Sequence, residues 1–201
     1  KSREEAKAQA LIREGYASDF NGEAYHTVSG QNSNNSIRVT DEFMQAYLAD
    51  NDWQTKAITT GEVIQTYKAK DLMRMIAESA WRCADPGMQY DTTINRWHTC
   101  KTSGPINASN PCSEFMFLDD SACNLSSINL VKFADEEGKF DIESFNRAVD
   151  LMILAQEILV DYSSYPVYKI ALNSHRFRPL GLGYANLGAY LMRLGMPYDS
   201  G

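Results

Sequence analysis

Residues 110–130 read NPCSEFMFLDDSACNLSSINL, and the first five of them decide how the rest is understood. Pro111 fixes its own φ and biases Asn110 towards extended backbone. If the stretch runs extended, side chains at i, i+2 and i+4 share a face, so Asn110, Cys112 and Glu114 stand side by side. A carboxylate can take a proton from one hydroxyl and an amide can hold a second, while a thiol between them serves as nucleophile or one-electron carrier. The trio therefore suits a vicinal diol. A turn that merely holds a thiol is the competing reading, since an extended cysteine with polar neighbours is also common at strand ends.

The surrounding composition is that of a globular protein. The 201 residues are 44% hydrophobic and 22% charged, enough for one packed core without a disulfide or metal staple. The chain starts at Lys1 within a charged helical pattern and stops at Ser200-Gly201 just after another, so both ends read as cuts through a larger protein. A net charge of −7 argues against binding a nucleic-acid backbone, which needs clustered Lys and Arg. A nucleotide site stays open, because backbone N–H groups and one or two cations bind phosphate whatever the overall charge. No apolar run approaches the length of a membrane span and no signal pattern opens the chain. Four cysteines, Cys83, Cys100, Cys112 and Cys123, with no C-x-x-C, do not make a secreted disulfide framework, so a cytoplasmic location is expected.

Along the chain, helix formers fill residues 3–14 before Gly15. AYHTVS and SIRVT read as short strands on either side of the polar run GQNSNNS. Thr40-Asp41 offers an N-cap for a helix over EFMQAYLA, and WQTKAI-TTGE-VIQTYKA reads as a β-hairpin. The clearest helix spans 70–84, with Leu72, Ile76, Ser79, Ala80 and Cys83 on one face and Pro86-Gly87 as its stop. Cys83 is then expected as a small buried hydrophobe. Residues 87–109 show turn signals without a period and read as a long loop. The two apolar stretches of 110–133 read as strands, DEEGK as a surface turn, and 141–161 as an amphipathic helix. That helix points Ile142, Phe145, Val149, Met152, Ala155, Ile158 and Leu159 at a core. A last helix over about 184–194 follows RFRPLGLG. Strands and helices mix without a linker, which indicates one α/β unit over 1–201, incomplete at both ends.

Other candidate sites are weaker. GLGYANLG has glycines at 181, 183 and 188, but Asn186 stands where a dinucleotide-binding fingerprint needs its third glycine, so a tight loop feeding a helix is expected. SGQNSNNS either bonds its own backbone or faces a polar ligand, with no pattern to choose between them. His98 beside Cys100 invites a Cys–His nucleophile, yet no hydrolase motif surrounds it. Spacings of 12 and 11 between Cys100, Cys112 and Cys123 do not fit a zinc loop, and no metal site is expected.

The run NPCSEFMFLDDSACNLSSINL resembles the finger-loop region, here about 108–124, of the large catalytic chain of ribonucleotide reductases. Its wording is closest to the adenosylcobalamin-dependent class II enzymes. DPGMQYDTTINRWHTC, FNGEAYHTVSGQNSNNSIRVTDEFM and RPLGLGYANLGAYLM resemble the same class, so the likeness covers nearly the whole chain. It implies part of a ten-stranded α/β barrel of the ribonucleotide reductase and glycyl radical enzyme type. It implies reduction of ribonucleoside di- or triphosphates to deoxyribonucleotides by a thiyl radical, started by adenosylcobalamin.

By that resemblance Cys112 is the radical cysteine, Glu114 accepts the proton of the 3′-hydroxyl, and Asn110 hydrogen-bonds the substrate hydroxyls. Asn110, Pro111, Cys112, Ser113 and Glu114 all touch substrate. Cys123 is one cysteine of the reducing pair, its partner lying outside this chain, while Cys83 and Cys100 match no catalytic position. The implied partners are a dNTP or ATP effector, a thioredoxin-type reductant and a second copy in a homodimer. The fragment alone is expected to be inactive. A class I large chain, fed by a separate radical-generating subunit, and a non-catalytic binding or assembly module with buried cysteines are the alternatives.

Overall fold

A computed structural model of the chain describes residues 2–19, 21–30 and 33–200, and these pack as two compact units, 1–118 and 119–201. In the first unit the order is α1 (Ser2–Arg13), α2 (Glu23–His26), β1 (Ser36–Val39), α3 (Asp41–Leu48), β2 (Asp52–Lys56), β3 (Val63–Lys68), α4 (Ala69–Cys83), β4 (Gly87–Tyr90), α5 (Asp91–Trp97), a 3-10 turn (Lys101–Ser103), β5 (Ala108–Ser109) and β6 (Met116–Phe117). Thr40 caps α3 as expected, its hydroxyl accepting the Phe43 N–H at 3.4 Å. β2 and β3 form the expected antiparallel hairpin. β1 pairs in parallel with β4, a connection that must cross over and does so through α3, the hairpin and α4. Between these elements lies a small core of Val39, Phe43 and Ala69, with Phe43 edge-on to Trp53 at 5.3 Å.

The second unit runs β7 (Asn124–Asn129), a 3-10 turn (Leu130–Phe133), α6 (Ile142–Tyr162), α7 (Tyr168–Phe177), β8 (Leu180–Ala185) and α8 (Leu187–Arg193). β7 and β8 pair in parallel over six positions, Asn124↔Leu180 to Asn129↔Ala185, with α6 packed against both. Asp141 caps α6 through the Ser144 N–H at 3.1 Å. An aromatic cluster of Phe133, Phe140, Phe145 and Tyr190, with ring centroids 5.4–6.2 Å apart where they meet, closes one end. Strand–helix alternation and two parallel pairs bear out the mixed α/β class. Among the described residues no helix is long and apolar enough to cross a membrane.

Several expectations are corrected. AYHTVS is not a strand: the Tyr25 and His26 N–H groups return to the Gly22 carbonyl, and the Tyr25 hydroxyl reaches Glu5 on α1 at 3.1 Å. The stretch 87–109 is not one loop, since it holds β4 and α5. Its helix is too short, and too dependent on polar Asp91 and Asn95, to show a hydrophobic period. GLGYA is a strand rather than a loop. At Gly181 a Cβ would lie 2.5 Å from Leu125 Cδ2, so the glycine leaves room for the Leu125 side chain as it is placed across β7.

On α6 the inward stripe is Phe145, Val149, Met152, Gln156 and Val160, whereas Ile142, Ala155, Ile158 and Leu159 are exposed. Glu143, Arg147, Asp150, Glu157 and Asp161 form one charged stripe, but apolar residues fill the rest of the circumference, a band wider than the face that meets the sheet, so the sequence pattern includes residues that stay exposed. Cys83 is exposed too, its thiol donating to the Ser79 carbonyl one turn back at 3.2 Å.

Candidate active site

β1 and β4 alternate. Their parallel register sets Arg38 opposite Gln89 and Ser36 opposite Gly87, while Val39 and Met88 turn to the core on the other face. One face of this two-stranded sheet is therefore polar. The turn that carries Cys112 lies on that face.

Arg38 donates through Nε and Nη2 to Asp91 Oδ1 at 3.0 and 2.7 Å, through Nη2 to the Ile106 carbonyl at 3.0 Å, and through Nη1 to Gln89 Oε1 at 3.2 Å. Asn95 on α5 accepts the Ile106 N–H at 2.9 Å and donates to the Ile106 carbonyl at 3.1 Å, which pins the main chain just before β5. Gln89, buried at 3% exposure, spends both amide protons on hydroxyls: Ser109 Oγ at 2.7 Å and Ser113 Oγ at 2.9 Å. Those serines flank Asn110, Pro111 and Cys112. An open cleft beside them is lined by Asn34, Ser36, Arg38, Gln89 and residues 107–111. Asn34 and Ser36 belong to the polar run whose orientation the sequence left undecided, and they face this cleft, while Gln31 and Asn32 lie outside the described residues.

The stretch NPCSE is a turn, which corrects the extended, same-face arrangement expected from spacing. β5 and β6 pair over only two positions, Ala108↔Phe117 and Ser109↔Met116, and the chain between them folds back on itself. Asn110 N–H donates to the Phe115 carbonyl at 3.2 Å, Ser113 N–H to the Asn110 carbonyl at 3.2 Å, and Phe115 N–H to Asn110 Oδ1 at 2.9 Å. Ser113 sits in the left-handed region at φ +66°. The physical reason is local competition: an asparagine side chain satisfies the backbone two to five residues on more readily than a two-residue ladder can extend.

At the tip Pro111, Cys112 and Glu114 are exposed, with Asn110 and Ser113 half-buried. Asn110 Oδ1 accepts the Phe115 N–H, so what this side chain can still offer is its Nδ2 protons, as donors. Cys112 is an exposed thiol at a turn. The expectation that the cysteines are merely buried fails for both Cys112 and Cys83.

His98 is buried and occupied. Its Nδ1 accepts the Cys100 N–H at 3.4 Å, which leaves Nε2 to donate to the Gly104 carbonyl at 3.1 Å, and its ring meets Phe117 edge-on at 6.1 Å. It braces β6 rather than activating a thiol. Among the described residues, no group of three or more His, Cys, Asp and Glu is placed to hold a metal ion.

Cys123 immediately precedes β7 in the second unit. It is half-buried, with its thiol directed to the Asn124 carbonyl at 3.6 Å. Beside it Gln156, at 2% exposure, donates to the carbonyls of Asn124 at 3.1 Å and Gly181 at 2.9 Å, tying both strands to α6.

Residues 14–201 match the family model described as the ribonucleotide reductase barrel domain. The chain belongs to the ribonucleotide reductase barrel family. A vitamin B12-dependent ribonucleotide reductase of Rhodopirellula baltica is 60% identical over 98% of this chain, and one of Streptomyces clavuligerus is 50% identical over all of it. A vitamin B12-dependent ribonucleoside-diphosphate reductase of Thermoplasma acidophilum is 32% identical over 84%. The chain spans about a fifth of the length of these relatives, 19%, 21% and 22% respectively.

Within this reductase barrel chain, sequence reasoning singled out the tip but missed what holds it. Gln89, Arg38, Asp91 and Asn95 went unnoticed. Alternation in SIRV and GMQY, with Arg38 and Gln89 between apolar residues, was the available signal.

Proposed function

We propose that this chain is the part of an adenosylcobalamin-dependent ribonucleotide reductase that presents the radical cysteine to the substrate ribose, both units belonging to one catalytic barrel. The observation that carries the reading is the turn tip, where Cys112 is an exposed thiol with Asn110 and Glu114 two residues to either side of it in the chain, on a hairpin pinned by the Asn110 side chain. The relatives' names support adenosylcobalamin over a separate radical-generating subunit, and the name of the T. acidophilum relative favours a diphosphate substrate.

Adenosylcobalamin fits a chain of this kind because the cofactor carries its own metal in a corrin ring, so the chain need contribute only an accessible thiol, which Cys112 is. When bound to the whole protein it supplies the radical that Cys112 holds as a thiyl. The chain's own residues then divide the work. Cys112 takes the 3′-hydrogen of the ribose and returns it at the end. Glu114 accepts the 3′-hydroxyl proton, and Asn110 Nδ2 holds a ribose hydroxyl by donation. The 2′-hydroxyl leaves as water, while Cys123 and a cysteine outside this chain give up two electrons and two protons and become a disulfide. One ribonucleotide and two thiols thus yield one deoxyribonucleotide, one disulfide and water. A cytoplasmic protein with a dNTP or ATP effector, a thioredoxin-type reductant and a homodimeric assembly completes the reading suggested by the family likeness.

The test is Cys112→Ser in the full-length protein with adenosylcobalamin and a dithiol reductant. Nucleotide reduction is expected to fall below detection while substrate affinity stays within about threefold, since a hydroxyl cannot carry the radical but barely changes the surface. Turnover retained by Cys112→Ser would overturn the assignment.

A further inference from the structure

The turn that bears Cys112 has little to hold it in shape. Its ladder is two residues long, and Ser113 sits at φ +66°, where a residue with a Cβ is strained by about 1–3 kcal/mol unless its surroundings over-determine it. The surroundings here converge on one side chain. Gln89 comes from β4, outside the hairpin, and its amide can face only one way. Arg38 Nη1 claims Oε1 at 3.2 Å, so both Nε2 protons must point at the tip, where Ser109 Oγ and Ser113 Oγ accept them at 2.7 and 2.9 Å.

The effect passes on to the main chain. Because Gln89 fills an acceptor site on Ser109, the Ser109 proton is directed to the Asn110 carbonyl at 2.7 Å, the same oxygen that takes the Ser113 N–H at 3.2 Å. Among the described residues Ser113 is thus held by the Gln89 amide, by the Asn110 carbonyl and, more loosely, by the Ser109 hydroxyl at 3.5 Å, and Gln89 binds Ser109 as well.

We infer that Gln89 is a positioning residue for the reaction: through Ser109 and Ser113 it sets the shape of the turn that aims Cys112, without touching substrate itself. The inference rests on the function proposed above. A misplacement of about 1 Å in a reacting group can cost on the order of 100-fold in rate, so the effect belongs in kcat.

Two variants of the full-length protein test it. Gln89→Met keeps the length and loses both donors. Gln89→Glu keeps the shape and the Arg38 contact, but offers the serines only acceptors and draws the Ser109 proton off the Asn110 carbonyl. Both are expected to lower kcat by about 10–100-fold with KM within about threefold. Gln89→Met is also expected to speed hydrogen exchange of the Ser113 and Phe115 amides at least tenfold, and Gln89→Glu to melt within a few degrees of wild type. Wild-type exchange in residues 107–117 together with wild-type kcat in either variant would overturn the inference. So would a fall confined to KM, or normal turnover in a Gln89→Glu protein of normal stability. If the wild-type enzyme reduces no nucleotide, the functional reading fails; the exchange measurement on residues 107–117 still decides whether Gln89 shapes the turn.

Discussion

Gln89 and Gln156 are both nearly fully buried, at 3% and 2% exposure, yet they spend their amides on different kinds of partner. Gln156 donates to two main-chain carbonyls, one on each strand of a six-residue parallel pair, and its own Oε1 has no hydrogen-bond partner among the described residues. Gln89 is satisfied at both ends and donates only to serine hydroxyls. Main-chain carbonyls are fixed by the ladder, so what Gln156 fastens is architecture. Hydroxyls rotate and relay, so what Gln89 fastens is the shape of a short turn. An unpartnered oxygen is tolerated in the first case because two carbonyls would otherwise lose their donors. The difference predicts that damage to Gln156 shows in stability and damage to Gln89 in turnover.

The strongest way to break that contrast is Gln156→Leu. Two main-chain carbonyls of half-buried residues each lose a donor, at about 1–3 kcal/mol each, partly offset by the Cys123 thiol that stays on Asn124 and by removing the unpartnered Oε1. We expect a loss of about 2–4 kcal/mol of protection against hydrogen exchange over residues 124–129, with kcat per folded molecule near wild type. Turnover lost at full protection would erase the distinction.

A medium effect comes from acid. Arg178, which leads into β8, pairs with Glu157 and Asp161 on α6 and acts as an outer clamp on the contact that Gln156 holds from within. Its hydrogen bond keeps the Asp161 carboxyl below its ordinary value of 3.8. A folded-state value lowered in this way means stability that is complete above 3.8 and lost as pH falls through the lower folded value. Melting temperature should therefore hold steady down to about pH 4 and drop below it, more steeply in Gln156→Leu, and Arg178→Met should flatten the drop. Equal slopes in all three proteins would show that the two clamps are unrelated.

The smallest effect is expected at Gly181→Ala. The new Cβ would meet Leu125 Cδ2 at 2.5 Å, but Leu125 is 68% exposed and free to swing out, and Cys123 Sγ at 3.5 Å is ordinary contact. A cost under about 1 kcal/mol follows. A larger one would mean that the β7–β8 approach is as unforgiving at its side chains as at the carbonyls Gln156 holds.

Legibility in the sequence followed the range of the interactions. Thr40 as a cap, the β2–β3 hairpin and α4 are local, and each could be read from a few adjacent residues. Asn110, Cys112 and Glu114 were singled out from their spacing, but the extended shape expected for them fails, because the Asn110 side chain bonds the Phe115 N–H and folds the stretch into a turn. β8 was hidden by its glycines, whose strand geometry depends on β7 lying 56 residues earlier at Leu125↔Gly181. On α6 nothing apolar distinguished the inward face, and the residue that marks it is the polar Gln156. Gln89 escaped notice for a similar reason. A buried amide looks like a surface residue until the strand opposite supplies Arg38 and the hairpin supplies its serines.

Ser113 is the feature with the widest consequence. Left-handed turn positions are usually filled by glycine or asparagine, because a Cβ crowds the backbone there. At φ +66° this one keeps a serine whose hydroxyl is the anchor for Gln89. Glycine would relax the backbone and lose the anchor, and threonine would keep the anchor while adding a β-branch where the backbone tolerates it least. Alanine would keep the strain and gain nothing. Conformation and bonding, each permissive alone, together leave only short side chains with an acceptor oxygen, so the residue beside the thiol has little room to drift.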